Sequence, residues 1–158
     1  MATSTLIQRL STGDSSAASH RRQVETFVTG ADVASNPIVA GDVVMWDVSA
    51  SAGGDRLLTV IQSELKALGQ TKACGVAIDG SSVAGEKVRV VISGYAVANC
   101  AADTGTIVAG DPLVASVVTD GEVELLVAAD LARPFGVALE NADAVTTNFV
   151  EICVYPQF

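Results

Sequence analysis

Aromatic residues are scarce in this chain: one Trp, two Tyr and four Phe among 158 residues. A sugar-binding surface, which usually needs exposed aromatic platforms, has little to draw on. Histidine is scarcer still. His20 is the only one, and it stands in a polar segment beside Arg21 and Arg22. A Ser-His-Asp or Cys-His site needs its imidazole held by packed neighbours, which such a segment does not supply. The three cysteines, Cys74, Cys100 and Cys153, are odd in number and far apart, each among small or apolar residues. They read as buried reduced thiols, with at most one bridge, since a disulfide framework or a zinc site wants denser, paired spacing. No apolar run reaches 18 residues, so no membrane-spanning helix is indicated. Met1 to Leu10 is polar and does not read as a signal peptide. No nucleophile elbow, phosphate-binding loop, dinucleotide fingerprint, zinc-protease motif or paired C-x-x-C is present.

The charge is abundant but one-sided. The formal net charge is −9. Residues 1–24 hold Arg9, Arg21 and Arg22 against Asp14, a net +2, so residues 25–158 carry −11. A body this acidic repels phosphate backbones, which argues against nucleic acid as a partner. The leading residues are rich in Ser, Thr and Ala, with Ser11-Thr12-Gly13-Asp14-Ser15-Ser16 at their centre. Such a composition cannot nucleate a core. Residues 1–24 are therefore expected to form a flexible arm, and 25–158 a single β-rich domain. Arg9, His20, Arg21 and Arg22 are the arm's candidate partner-binding residues. Phe158, an aromatic following Pro156, joins them because such a group should be covered by its own core or by a neighbouring subunit.

From about Val24 the texture changes to short apolar runs separated by Gly, Asp-Gly and Pro, the mark of many short strands. Val88, Val90 and Ile92 alternate along one run. Val123, Leu125 and Val127 alternate with Glu122 and Glu124 along a second, and Val150, Ile152 and Val154 along a third. Asp120-Gly121 signals a tight hairpin. One stretch departs from this pattern. Leu57, Leu58, Ile61, Leu65 and Leu68 recur at helical spacing, with Asp55 as N-cap and Gly69 as stop, which predicts an amphipathic helix over about 55–68. A shorter helical turn is expected at 128–132, before Pro134.

The chain also resembles itself. Val39-Ala40-Gly41-Asp42 returns as Val108-Ala109-Gly110-Asp111, and Gly75-Val76-Ala77-Ile78-Asp79 as Gly136-Val137-Ala138-Leu139-Glu140. The order is the same each time: turn, strand, helical insert, Gly-Val-Ala strand, turn, closing strand. Two pseudo-repeats, about 36–95 and 105–155, follow. Glycine in these turns permits positive φ, and Asp can bond back to the turn's own amides. Both roles belong to scaffolding rather than chemistry. Most carboxylates fall in such turns (Asp42, Asp79, Asp111, Asp120) or on outward strand positions (Glu122, Glu124, Glu151), where solvation is expected. The cluster Asp120, Glu122 and Glu124 could attract a divalent cation, but its spacing fits no EF-hand loop. Trp46 reads as core or interface packing. No catalytic residue, cofactor or metal site emerges.

The order Val-Ala-Gly-Asp, Gly-Val-Ala, Val-Ala-Gly-Glu-Lys-Val-Arg-Val and Val-Ala-Gly-Asp-Pro-Leu resembles the capsid decoration, or cement, proteins of tailed phages. The resemblance spans roughly residues 36–155, with Gly41, Asp42, Gly75, Gly85, Val88, Val90, Gly94, Gly110, Asp111, Leu113 and Gly136 as matching positions. It implies a mainly β, tulip-like fold, a barrel or sandwich from two halves. It also implies a homotrimer on the outer capsid surface of the virion that bridges major capsid protein subunits. It implies no catalytic residues, no cofactor and no membrane or nucleic acid partner. Similar turns occur in β-clip-like domains, some of them enzymes, so a small enzyme using Asp42 and Asp111 is one alternative. A glycan- or surface-binding module is another.

Overall fold

The computed structural model describes residues 22–49, 58–63, 73–101, 105–126, 133–143 and 147–155. Eleven strands follow in order: β1 (Arg22–Thr29), β2 (Val43–Trp46), β3 (Thr59–Gln62), β4 (Ala73–Ala77), β5 (Lys87–Asn99), β6 (Thr106–Ile107), β7 (Pro112–Ala115), β8 (Val123–Leu125), β9 (Gly136–Ala138), β10 (Ala142–Asp143) and β11 (Phe149–Val154). A short 3-10 turn, Ala31–Ala34, buries Val33 behind β1. Nine of the strands form one sheet in the order β1-β3-β2-β4-β5-β11-β9-β7-β8, and β10 pairs with β6 beside it.

An extra pairing between β1 and β5 closes the first five strands into a barrel. The remaining strands repeat that ring. β5 runs on past Gly94 and pairs its second half with β11, from Gly94↔Val154 to Asn99↔Phe149. β11 then pairs with β9, β9 with β7 and β7 with β8. A parallel bridge from Cys100 to Val123 returns the second ring to β5. The same step occurs in the first barrel, where Thr29 pairs in parallel with Val60. Closing hydrogen bonds correspond as well: Gly30 N–H donates to Val60 O at 2.9 Å, and Ala101 N–H to Val123 O at 3.0 Å. Closure removes the exposed sheet edges that a flat array of this width would carry.

One strand thus serves both rings, and its side chains show where it crosses. Val88, Val90 and Ile92 belong to the first core with Phe27, Val44, Val60 and Cys74. Val91 and then Ala96 and Ala98 belong to the second, with Leu113, Phe135, Val150 and Ile152. Apart from Val91, the buried positions keep one parity along the strand, but the core they enter changes between Ile92 and Ala96. Gly94, with φ of 89°, stands at the change, in a conformation that a Cβ disfavours. β2 and β4 are buried on both sides: Val44 and Cys74 face the first core, Val43 and Ala73 the second. Burial on two faces explains their unbroken apolar sequences, which show no alternation.

The matching turns of the two rings make corresponding hydrogen bonds. Val39 N–H donates to Asp42 Oδ2 at 2.7 Å, and Val108 N–H to Asp111 Oδ2 at 2.8 Å. Gly41 and Gly110, both with positive φ, donate to Ala77 O and Ala138 O at 2.8 and 2.9 Å. Ile78 and Leu139 donate to Arg89 O and Glu151 O, each at 2.8 Å. The equivalence reaches beyond the matching tetrapeptides, because β1 and the second half of β5 also occupy the same place in their rings.

Two expectations change. The helix over 55–68 gives way, at Thr59–Gln62, to β3, which pairs with β1 and β2. Val60 and Ile61 are β-branched and buried, so ring closure and strand propensity outweigh a helical spacing of leucines. The rest of that stretch, and the turn at 128–132, lie outside the described residues. Asp120-Gly121 does sit in a β7–β8 hairpin, but the connection runs from Ser116 to Glu122 rather than through two residues. Ser116 Oγ holds it by accepting from Val118 and Thr119 N–H at 3.0 and 3.1 Å. In the alternating runs Val123, Val150, Ile152 and Val154 are buried, Leu125 is half-buried, and Phe149 and Tyr155 are exposed, while Val127 lies outside the described residues.

Candidate interaction surfaces

The two barrels meet around a carboxylate that the sequence suggests is solvated. Asp42 is only 4 % exposed. Besides the Val39 amide, it accepts Gln62 Nε2 at 2.8 Å from β3 and Asn99 Nδ2 at 2.9 Å from the end of β5. Gly121, from the second barrel's hairpin, packs over it, and the hairpin is tied down by Val43 N–H to Gly121 O at 2.6 Å and Gly121 N–H to Ser63 O at 3.0 Å. Burial raises the Asp42 pKa, and the three donors offset that only in part. Its counterpart Asp111 is half-buried and holds the Val108 turn. The two aspartates serve corresponding turns in different rings, and Asp42 spends its lone pairs on three structural donors. Among the described residues no group of three or more His, Cys, Asp or Glu is placed to hold a metal ion.

Beside this junction lies a cleft of about 260 Å³, lined by Arg22, Ala40, Ile78, Tyr95 and Val97 among others. Tyr95 forms its wall and donates its hydroxyl to Glu151 at 2.8 Å. Burial, followed by the Glu151 and Glu140 carboxylates, raises the Tyr95 pKa, against a smaller opposing effect of Arg22.

The cleft opens onto the outer face of the second barrel, made by β5, β11 and β9. The register places Tyr95 beside Cys153 and Val137, Val97 beside Glu151, and Asn99 beside Phe149. Leu139 follows β9 on the Glu151 row. Val97, Leu139 and Phe149 are 41, 46 and 54 % exposed. The matching face of the first barrel is charged instead. There Arg89 makes two 2.7 Å bonds to Asp79, which lower the Asp79 pKa. Asp79 also accepts the Arg89 amide at 3.3 Å, as Glu140 accepts the Glu151 amide at 3.0 Å. The capping carboxylate is thus kept in both barrels, while the residue it caps is an arginine in one and a glutamate in the other.

Of the residues singled out in the sequence, Arg22 opens β1, is exposed and lines the cleft. Arg9, His20, Arg21 and Phe158 lie outside the described residues. Trp46 is half-buried and meets Phe27 edge to face, with ring centroids 5.3 Å apart. All three thiols are free: Cys74 and Cys100 are buried, and Cys153 is half-buried on the outer face. Burial pushes the Cys74 thiol far up and raises that of Cys100. The outer face could have been found from the sequence by reading Phe149, Glu151 and Cys153 together with Tyr95 and Val97. Nothing in the sequence says that those two runs pair.

The described chain is a tandem of two small closed β-barrels joined through a shared strand and a buried polar junction. Among solved structures, it is similar to the N base of the head fiber protein gp8.5 of bacteriophage phi29. The TM-score is 0.52 at 16 % identity, covering 85 % of this chain and 94 % of that one. The likeness shows a common fold. No protein-family model matches the sequence, and no curated protein does.

Proposed function

We propose that this protein is a structural component of a tailed-phage virion that decorates the outside of the capsid. In that role it bridges neighbouring major capsid protein subunits and stabilises the shell. The observation that carries the reading is the fold shared, over most of both chains, with the base of a phage head fiber. The sequence resemblance to decoration proteins points the same way. The architecture suits the task, since two closed barrels locked by a buried junction make a stiff body. A net charge of −11 over residues 25–158 keeps that body away from packaged nucleic acid. The working form is a homotrimer, and residues 1–24 act as the attachment arm, with Arg9, His20, Arg21, Arg22 and Phe158 as contact residues. The role asks nothing of catalysis, and Asp42, the most buried carboxylate of the repeated turns, is bound up in holding the barrels together.

The test is cosedimentation with empty shells assembled from the major capsid protein of the same phage, beside the solution mass of the free protein. Stoichiometric retention, with shells that resist heat or denaturant better when coated, is the expected result. Shells that retain no protein at low ionic strength would sink the reading. A monomer in solution would remove the trimer but leave decoration standing.

A further inference from the structure

One main-chain amide is answered in the second barrel and open in the first. In the second barrel Ala109 N–H donates to Asn141 Oδ1 at 2.8 Å. The corresponding amide is that of Ala40, and Gly80 stands where Asn141 does. The register fixes the match, since Ile38 bridges Ser81 as Ile107 pairs with Ala142, one residue further along. A Cβ at Gly80 would lie 3.8 Å from the Ala40 nitrogen, so a side chain there is placed to reach that amide. Glycine offers none, and no acceptor among the described residues takes the Ala40 N–H. The first barrel thus keeps open a donor that the second closes with its own chain.

Ala40 also lines the cleft of about 260 Å³ beside the barrel junction. Val76 and Val91, almost fully buried in packed strands, give that cleft a preformed lining, and Ile78, Val97 and Tyr95 add to it. Its cation is Arg22, which is exposed and makes no ion pair with a described residue. An amide donor and a guanidinium on one cleft favour an anion with more than one oxygen. A carboxylate meets both, and its charge-assisted bonds are roughly twice as strong as those of a neutral carbonyl. Glu151 holds the Tyr95 hydroxyl, so the Tyr95 side of the cleft suits the apolar part of a ligand rather than its charge. The volume lies below the range of drug-sized sites, which restricts that part to a short chain.

We propose that this cleft binds a small monocarboxylic acid with a short apolar chain. The carboxylate accepts from Ala40 N–H and Arg22, taking the place that the Asn141 carboxamide holds in the second barrel, and the chain lies against Ile78, Tyr95 and Val97. The second barrel has no such site, because Asn141 already occupies its amide. This goes beyond the capsid reading and does not depend on it, since it concerns the free protein.

The test is a titration of the full-length, nitrogen-15-labelled protein with hexanoate, followed through its amide resonances. The Ala40 amide proton should move to lower field in a saturable way, the Tyr95 and Val97 amides should move with it, and Ala109 should stay in place. Hexanamide, which has the same shape without the charge, should bind about fivefold more weakly, the size expected for one exposed ion pair. Arg22→Gln should weaken hexanoate by a similar factor, and as a change at the exposed start of β1 it leaves the cores intact. Gly80→Asn rebuilds the second barrel's arrangement, although its Cβ must ease past Ile38 O at 3.1 Å. It should shift the Ala40 amide toward lower field without ligand and abolish the response to hexanoate. An Ala40 amide that ignores hexanoate in the unmodified protein would overturn the proposal. Equal binding of hexanamide, or binding unchanged in Arg22→Gln, would overturn the carboxylate assignment. Because no shell is present, a failure here leaves the capsid reading untouched.

Discussion

The first and second barrels share a ring order, a turn chemistry and a set of hydrogen bonds, yet they treat the same positions differently. Asp42 and Asp111 each cap their own turn, but only Asp42 also gathers Gln62 and Asn99 and is sealed by Gly121. Asp79 and Glu140 each hold the amide across from them, but among the described residues only Asp79 meets an arginine. The difference separates two kinds of work. Main-chain bonding is what the repeat must keep to close a ring. Side chains that leave the ring are free to specialise: one barrel supplies the joint, the other a surface.

That comparison can be broken most severely at Gly75 and Gly136, the paired glycines of β4 and β9. A Cβ at Gly75 would run into the Val91 carbonyl oxygen and a Val90 methyl, whereas at Gly136 it would lie 2.8 Å from the Cys153 carbonyl oxygen. Gly75→Ala should therefore cost about 3 kcal/mol and Gly136→Ala about 1–2 kcal/mol, both by overpacking against backbone. Equal costs in urea denaturation would mean that the tighter approach at Gly75 relaxes freely.

The aspartates come next. Asp42→Ala strands three part-buried donors and should destabilise by about 1–2 kcal/mol, against less than about 1 kcal/mol for Asp111→Ala. If the two cost the same, the joint between the barrels does not depend on Asp42. The pH dependence sharpens the point. Burial raises the native Asp42 pKa above its unfolded value, so the native state binds the proton more tightly. Its contribution is fully present below the ordinary aspartate pKa and is lost as pH rises through the raised native one. Thermal unfolding followed across that window should show this slope in the parent protein and not in Asp42→Asn. The smallest effect belongs to the exposed pair of the first barrel. The native Asp79 pKa is lowered, so its contribution is present at neutral pH and is lost as pH falls through that lowered value. Asp79→Asn should move the unfolding midpoint barely at all at high salt, where exposed ion pairs are screened. A clear shift there would show that the pair does structural work in the first barrel.

Much of this was legible from residue order. The Val-Ala-Gly-Asp and Gly-Val-Ala matches located the corresponding turns. Alternation at Val88–Ile92 and Val150–Val154 picked out the inward faces, because a period of two survives wherever only one side of a strand is buried. The same logic explains the failures. β2 and β4 do not alternate because both sides are buried, and β3 hides beneath leucines whose spacing mimics a helix. Asp42 looks identical to Asp111 in the sequence, so nothing local marks it as the buried one.

The sequence by itself determined the mainly β class of fold and the places of the matching turns, since each rests on composition or on contacts within a few residues. Tertiary structure alone decided that the halves share a strand, with the crossing at Gly94. It also decided that Asp42 joins the barrels, and that Phe149, Val97 and Leu139 form one surface. Those facts depend on pairing between segments far apart in the chain, such as Val43 with Gly121 and Val97 with Glu151. Such pairing is set by the closure of two rings as a whole, and no window of the chain contains it.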